Sequence, residues 1–372
     1  MKLDWLKDVA LDPGPHVSVY VDATRNRETG AHDMELRWQD ARTALAGRGA
    51  PEPALVALDD VATDPTGVGG PVGRAMVASA GGLELHLLLP GPPLREEAES
   101  GPVPHLMPLV RSLADDVRYV LVELDRAGAD ITVARSDAVE TKKKLSVEGG
   151  HDLLHKIPGG GWAALRYQHA VQDSWDHNAA AVANELADIV RRERPEVVLL
   201  TGDTKAAAAF RSKAAPVVLD LLVEVAGGHR AAGTNEEAFA AAVTEALDTV
   251  RAARRQAVVD AFVQERGRGG AAAEGLRDVV AALRRGQVRT LLLKDDPSST
   301  NTLFTGPNAL EIGTSVEELR TLGVEDPVQV RADAAIVRAL AASDAEIQLV
   351  QDGLDLQDGI GAVLRYADPA TP

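Results

Sequence analysis

Three consecutive glycines, Gly159, Gly160 and Gly161, stand directly before Trp162 and a long amphipathic stretch. Glycine tolerates positive φ and allows the backbone to approach a ligand closely. At the start of a helix, glycines also leave N–H groups free at the positive end of the helix dipole, where an anion such as phosphate binds. The other interpretation is a flexible surface loop whose tryptophan folds back as a hydrophobic cap. These residues therefore predict either an anion-binding tip or a capped loop.

Positive charge is concentrated around these glycines. Residues 140–169 contain five lysines and arginines against three acidic residues, whereas the whole chain has a net charge of −17. The five basic residues are Lys142, Lys143, Lys144, Lys156 and Arg166. A basic island in an acidic protein is typical of a contact with RNA phosphates. A solvated strand is the alternative for the lysine run, because neighbouring side chains of a strand point to opposite faces.

Other patterns that could do chemistry are weak. The chain has no cysteine, which excludes disulfides, thiolate zinc sites and cysteine nucleophiles. It also lacks the phosphate-loop, zinc-protease and serine-hydrolase motifs. His151 and His155 have a metal-binding spacing, but Pro158 and the glycines follow closely, so we expect solvated loop histidines. We expect an ordinary strand-to-helix turn at "TGDTKA" (201–206), and no metal or cofactor.

A long helix must carry the glycine-rich segment. The apolar spacing of three and four predicts a helix from about residue 163 to residue 193, which would be about 45 Å long. The apolar positions are Leu165, Trp175, Val182, Leu186, Ile189 and Val190. Basic residues followed by a proline, in "RRERP", predict its end. Such a helix can hold its tip far from the rest of a domain.

The length of 372 residues exceeds what one hydrophobic core usually supports, so several domains are expected. Alternating strand and helix patterns predict an α/β fold with domains at 1–115, 116–250 and 251–372. The middle domain is predicted to have a mixed sheet, with the glycine-rich loop leading into the long helix.

The N-terminus resembles no secretory signal and no stretch is apolar enough to cross a membrane, so we expect a cytoplasmic protein without a membrane partner.

Two motifs resemble the archaeo-eukaryotic peptide-chain release factor family. In that family a Gly-Gly-Gln loop precedes a helix that begins with Ser-Ala-Leu-Arg-Phe or a similar sequence, and "GGGWAALRY" matches it at the residues Gly160, Gly161, Ala164, Leu165 and Arg166. Near the C-terminus, "DGIGAVLRY" (358–366) is similar to the Gly-Gly-Ile-Ala-Ala-Ile-Leu-Arg-Tyr ending of release factors and Pelota proteins. The resemblance implies three α/β domains in a release-factor or Pelota-like arrangement.

One difference from the family affects the function that the resemblance implies. Trp162 stands where release factors have their catalytic glutamine, and an indole has one N–H donor and no acceptor. It can stack on a nucleobase, but it cannot do the work of the glutamine. The first domain also has no counterpart of the stop-codon-reading Asn-Ile-Lys-Ser motif. Residues 1–62 there hold seven basic against eleven acidic residues.

The chain therefore resembles most closely the bacterial branch of this family that contains ribosome hibernation factors. That resemblance implies a non-catalytic protein in the ribosomal A site, with its glycine-rich loop near the peptidyl transferase centre. The implied partners are ribosomal RNA, tRNA and elongation factor Tu, the last through the C-terminal domain. The residues expected to bind RNA are Gly159, Gly160, Gly161, Trp162, Arg166, Lys142, Lys143, Lys144 and Lys156.

Two other functions compete with this one. The first is an enzyme that hydrolyses peptidyl-tRNA or cuts tRNA on stalled ribosomes, for which Gln168 and His169 are the nearest residues that could orient water. The second is an interaction module that uses the same fold away from the ribosome.

Overall fold

The computed structural model describes most of the chain, namely residues 1–25, 30–125, 128–137, 143–148, 162–228, 235–350 and 353–367. Within these ranges, the description covers the backbone alone at residues 30–31, 143–144, 148 and 162–177. The chain divides into two compact units. Unit 1 comprises Met1–Asp115 and Arg254–Pro372, and unit 2 comprises Asp116–Ala253.

The N-terminal part of unit 1 is an antiparallel sheet with helices. The strand order is β3-β2-β1-β4, and each neighbouring pair is antiparallel. Strand β4 is an edge strand of this sheet. The elements are α1 (Lys7–Leu11), β1 (His16–Asp22), α2 (Gly30–Gly47), α3 (Glu52–Ala62), β2 (Gly73–Ser79), β3 (Gly82–Leu89), β4 (Glu97–Gly101) and α4 (Met107–Leu113).

Both faces of this sheet are covered, which is why β1 and β2 are buried along almost their whole length. On one face, Val19 and Met76 pack in one cluster with Trp38 of α2 and Leu55 of α3. On the other face, Tyr20 belongs to the large core of unit 1, which continues into the C-terminal part of the chain. Strands buried on both faces have few positions for polar residues, so the buried polar residues among them need partners.

Unit 2 contains a five-stranded mixed sheet of order β7-β6-β5-β8-β9. The pairs β5–β6 and β6–β7 are antiparallel, whereas β5–β8 and β8–β9 are parallel. The last helix, α8, continues past Ala253 into the residues of unit 1. The elements are β5 (Arg118–Leu124), β6 (Gly128–Arg135), β7 (Lys143–Glu148), α5 (Trp162–Glu193), β8 (Val197–Gly202), α6 (Thr204–Lys213), α7 (Pro216–Leu219), β9 (Leu222–Glu224) and α8 (Glu236–Gly267).

Helices also cover both faces of the sheet of unit 2. One face packs against α5 and α6, where Leu186 and Phe210 are fully buried. The other packs against the first half of α8, where Leu247 joins Tyr119 and Leu199 in one cluster. Parallel neighbours need a long crossover connection, and α5 lies within the one from β5 to β8.

The C-terminal part of unit 1 has two small sheets. The first, of order β10-β16-β11-β15, has one parallel pair, β11–β15; the second is antiparallel, of order β13-β12-β14. The elements are β10 (Ala272–Glu274), α9 (Leu276–Arg284), β11 (Val288–Lys294), β12 (Thr302–Thr305), β13 (Ile312–Gly313), α10 (Val316–Thr321), β14 (Val328–Arg331), α11 (Ala332–Ala342), β15 (Glu346–Val350) and β16 (Ile360–Leu364).

The α/β fold predicted from sequence is confirmed by these mixed and antiparallel sheets with their helices. The three domain boundaries of the sequence analysis stay a prediction. Among the described residues, no helix is both long enough and apolar enough to cross a membrane.

Candidate functional site

Helix α5 carries the end of the segment that the sequence analysis singled out. It begins at Trp162, and its 32 residues correspond to about 48 Å at 1.5 Å per residue. Trp162 and Arg166 lie in its first two turns, where the structure describes the backbone. The three glycines before it, with Lys142 and Lys156, lie outside the described residues.

The second half of α5 is the part that holds the helix on unit 2. Val182, Leu186, Ile189 and Val190 are all at most 3% exposed and face the sheet at the predicted spacing. These residues fix the C-terminal half of α5 on unit 2.

Lys143 and Lys144 are the first two residues of β7. They pair with Val133 and Thr132 of β6, and β7 is at the edge of the sheet. The structure therefore places part of the basic island on an edge strand, and its contacts with RNA stay a prediction.

The C-terminal motif has a role in packing that the structure describes fully. Gly359 has a φ of +71°, which favours glycine, and it leads into β16. A Cβ at Gly361 would lie 2.9 Å from ring atoms of Phe262, so the strand needs glycine there. Ala362 and Leu364 are at most 2% exposed in the same core strand. The close packing of β16 therefore explains why the C-terminal motif has these residue types.

Arg365 of the same motif binds backbone carbonyl groups. Its guanidinium donates to the carbonyl oxygens of Gly286 at 3.0 Å, Ser343 at 2.5 Å and Asp344 at 3.1 Å. It thereby ties the residues that follow β16 to the ends of α9 and α11.

The "TGDTKA" segment forms a strand-to-helix turn. Gly202 has a φ of +125°, and a Cβ there would lie 1.9 Å from the carbonyl oxygen of Leu124. The Asp203 carboxylate accepts hydrogen bonds from the backbone N–H groups of Lys205 and Ala206 at 2.9 and 3.0 Å. Because this aspartate already occupies the N-terminus of α6, no anion is needed there.

Two buried histidines of unit 1 lie among carboxylates, and the sequence analysis missed both. The first is His105, which is 4% exposed. Its Nε2 lies 3.3 Å from Asp333 Oδ2, and its Nδ1 lies 3.4 Å from Glu97 Oε2. Its backbone N–H donates to the Ser18 hydroxyl, and its carbonyl oxygen accepts from the Tyr20 hydroxyl.

Asp333 has further partners that compensate its charge. The Arg331 guanidinium donates to both of its oxygens, at 2.7 and 3.1 Å, and the Ala334 backbone N–H donates to Oδ1 at 2.8 Å. Burial alone would raise the pKa of Asp333, but the hydrogen bonds from His105 and Arg331 outweigh it and hold the pKa well below its usual range. This carboxylate is therefore a compensated buried charge.

The second buried histidine, His16, opens β1 and is 1% exposed. Its Nε2 lies 3.3 Å from Asp12 Oδ2 and 3.5 Å from Glu84 Oε2 of β3. Neither ring nitrogen of His16 and neither carboxylate oxygen of Glu84 has a hydrogen bond of acceptable geometry. Among the described ion pairs, His16 is the basic partner of these two carboxylates.

Burial dominates the electrostatics of this second cluster. It lowers the pKa of His16, against the opposing effect of Asp12, and it raises the pKa of Glu84, against the opposing effect of the Ser79 hydroxyl. Both shifts disfavour the charged form of a group removed from water. The set Asp12, His16 and Glu84 also brings three metal-binding side chains within 4.8 Å of one another.

Comparison with known proteins relates unit 2 to a family. Residues 118–268 match the model of bacterial archaeo-eukaryotic release factor family 2. The resemblance to the bacterial branch of the release factor family, predicted from the sequence, is thereby confirmed. The narrower resemblance to hibernation factors stays a prediction.

Two relatives extend the similarity along the chain. An uncharacterized protein of Mycobacterium tuberculosis, Rv2629, is 29% identical over 368 residues, which cover 98% of this chain and 96% of that protein. The eukaryotic peptide chain release factor subunit 1 of Oxytricha trifallax is 28% identical over 204 residues, which cover 51% of this chain and 43% of that protein.

Solved structures of release factors and Pelota proteins are also similar. A model of ribosome-bound archaeal Pelota and ABCE1 has a TM-score of 0.41 at 14% identity and covers 97% of this chain and 92% of that one. Saccharomyces cerevisiae Dom34, a translation termination-like factor, has a TM-score of 0.39 at 13% identity and covers 81% of this chain and 80% of that one.

Proposed function

From a chain whose residues 118–268 match the bacterial archaeo-eukaryotic release factor family, we infer a ribosome-binding protein. We propose that it occupies the A site of idle ribosomes and places the Gly159–Trp162 segment near the peptidyl transferase centre without catalysis, as a hibernation factor in the cytoplasm. The observation that carries the proposal is Trp162, which begins α5 in the position of the family's catalytic glutamine. The sequence resembles the hibernation factor Balon and its actinobacterial relatives, which are similar to release factors without being termination enzymes.

The form of unit 2 supports this proposal in two ways. First, α5 has 32 residues and is therefore about 48 Å long, which gives its N-terminal tip the reach to enter a deep cavity. Second, an indole ring at that tip can stack on a nucleobase, which contributes about 1–3 kcal/mol. Neither property requires a water-activating group, so binding without hydrolysis is the function that these residues support best.

The basic island would add the contact with RNA phosphates. Lys143 and Lys144 begin an edge strand of the same unit, and Lys142, Lys156 and Arg166 are close to them in sequence. In a protein of net charge −17, such a local concentration orients this part of the molecule toward RNA. Elongation factor Tu and tRNA are the further partners that the resemblance suggests.

Co-sedimentation with vacant ribosomes tests the proposal. We expect the wild type to pellet with ribosomes and Trp162→Ala to remain largely in the supernatant. Trp5→Ala is the matched control, because Trp5 is a 38% exposed tryptophan of unit 1 and its loss should not affect binding.

In the same assay, the double variant with Lys143→Ala and Lys144→Ala should bind ribosomes more weakly, and its binding should depend less on salt. Lys205→Ala is the control, because Lys205 is an exposed lysine of α6 and its loss should change neither property.

The outcomes separate the competing functions. If wild type and Trp162→Ala pellet equally, the tip is not the binding element, and release of peptide from peptidyl-tRNA must be measured. Peptide release that Gln168→Ala abolishes would establish the enzymatic function instead. If no variant pellets even with elongation factor Tu present, the protein acts away from the ribosome.

A further inference from the structure

We propose that Asp12, His16 and Glu84 form a binding site for one divalent transition-metal ion, for which Zn²⁺ is the best match. The site lies in the N-terminal part of unit 1, where α1 gives way to β1, and it is independent of the ribosome-binding segment.

The donor spacing matches a tetrahedral ion. Zinc–nitrogen and zinc–oxygen bonds are about 2.0–2.2 Å long, so two ligands of a tetrahedral zinc lie about 3.4 Å apart. His16 Nε2 lies 3.3 Å from Asp12 Oδ2 and 3.5 Å from Glu84 Oε2. One ring nitrogen therefore faces both carboxylates at the distance that a shared metal ion requires. Three protein ligands leave the fourth position for a water molecule.

Two of the three ligands are buried polar groups. The His16 side chain is fully buried and that of Glu84 is 15% exposed, and their ring nitrogens and carboxylate oxygens have no hydrogen bond of acceptable geometry. Buried polar atoms nearly always have a partner, so His16 Nε2 and Glu84 Oε2, which face each other at 3.5 Å, are open to a ligand between them. Asp12, at 38% exposure, lies at the open side of the cluster and gives an ion a path of entry.

The charge of the cluster favours a cation. Two carboxylates lie within reach of one histidine. Arg338 is the positive group that acts on His16 electrostatically, but its guanidinium is held by the Thr305 hydroxyl and by backbone carbonyl groups. Two negative charges against one positive charge leave a net attraction for a divalent ion.

The sequence builds this cluster with a rigid connection. Helix α1 ends at Leu11, and β1 begins at His16, so Asp12 is followed by Pro13, Gly14 and Pro15. The prolines fix φ, and Gly14 has a φ of +143° that other residues rarely adopt. The turn therefore holds Asp12 beside His16 without a helix, and a metal ion would join it to β3 through Glu84.

The ligand types select among metal ions. Mg²⁺ and Ca²⁺ prefer six or more oxygen ligands, whereas an imidazole with two carboxylates suits Zn²⁺ and its neighbours in the first transition row. The short donor distances favour a tetrahedral arrangement. We therefore expect zinc to bind and magnesium not to compete with it.

Calorimetric titration of Zn²⁺ into the full-length protein, freed of metal with a chelator and then dialysed, tests the site. We expect one zinc ion per chain, with affinity reduced at least about tenfold in Asp12→Asn and in Glu84→Gln. Asp12 is the more exposed ligand, so its variant should keep the fold. Glu97→Gln is the matched control, because it removes a carboxylate beside the other buried histidine and should bind zinc as the wild type does.

Substitution of Co²⁺ for Zn²⁺ gives a second readout. A tetrahedral Co²⁺ absorbs strongly in the visible range, and we expect this absorption in the wild type and its loss in Glu84→Gln. The proposal is overturned if the wild type binds no zinc. It is equally overturned if Asp12→Asn and Glu84→Gln bind zinc with unchanged affinity, because the ion then lies elsewhere.

Discussion

His16 and His105 are both buried in unit 1, and each lies within 3.5 Å of two carboxylates, yet the two sites differ in geometry. His105 shares a hydrogen bond with Asp333 through Nε2, and its Nδ1 lies 3.4 Å from Glu97 on the other side of the ring, without a hydrogen bond of acceptable geometry. His16 faces both carboxylates with the same nitrogen. A single ring N–H cannot serve two acceptors well, whereas a metal ion can bind all three groups.

The two sites also differ in how their charge is compensated. Asp333 accepts hydrogen bonds from Arg331 and from a backbone N–H in addition to its contact with His105. Asp12 and Glu84 have His16 as their basic partner among the described ion pairs. Both sites contain a histidine, an aspartate and a glutamate. We interpret the His105 site as a structural network, because an arginine also binds its aspartate, and the His16 site as a metal-binding set, because no such cation among the described residues binds its carboxylates.

The largest expected effect is at the compensated site. Asp333→Ala should lower the free energy of unfolding by about 3 kcal/mol, because it leaves His105 and Arg331 without their shared acceptor in a largely buried position. Urea unfolding followed by circular dichroism measures this loss. The matched variant Asp12→Ala, at the other histidine and in the absence of metal, should cost less than about 1 kcal/mol. Equal losses at the two sites would remove the distinction between them.

A smaller effect is expected from acid. The pKa of Asp333 is depressed in the folded state, so its contribution to stability is present above its unfolded pKa and is lost as pH falls through the folded pKa. With an unfolded pKa of about 3.9, proton uptake by Asp333 in the unfolded state should remove about 1 kcal/mol of stability between pH 7 and pH 3. The measurement is the difference in unfolding free energy between wild type and Asp333→Asn at several pH values. A difference that stays constant from pH 7 to pH 3 would contradict this assignment.

The parts of the fold that the sequence predicted well are those with long periodic patterns. The predicted helix from about 163 to 193 is α5, Trp162–Glu193, because its apolar spacing repeats over many turns. The short elements β13 and α10, of two and six residues, were not predicted, because they contain too few residues to show a period.

The two histidine sites could not be predicted for a different reason. His105 and Asp333 are 228 residues apart in sequence, so their contact depends on the packing of α11 against the N-terminal sheet. Glu84 reaches His16 although β2 lies between their strands. The spacing of Asp12 and His16 was visible, but a four-residue spacing signals a shared face only on a helix, and this segment is a turn with two prolines.

The two motifs that resemble the release factor family also differ in what explains their residue types. Packing against Phe262 and the φ of Gly359 explain the glycines near the C-terminus, so that motif is evidence about the fold. Trp162 begins α5, and its proposed role concerns a partner outside the chain. Residue types required by a partner cannot be inferred from packing within one chain.

The smallest and most specific expected effect has opposite signs with and without metal. In metal-free protein at pH 7, Glu84→Gln should raise the free energy of unfolding by about 1 kcal/mol, because it removes a buried carboxylate charge beside Asp12 and keeps the shape of the side chain. With zinc in excess, the same variant should be less stable than the wild type, because a ligand that binds the folded state alone stabilises it. Glu97→Gln should show no such reversal, since Glu97 lies beside a histidine whose other nitrogen already contacts a compensated carboxylate. A loss of stability in metal-free Glu84→Gln would mean that the charge of Glu84 is compensated within the protein, and the contrast between the two histidines would then fail.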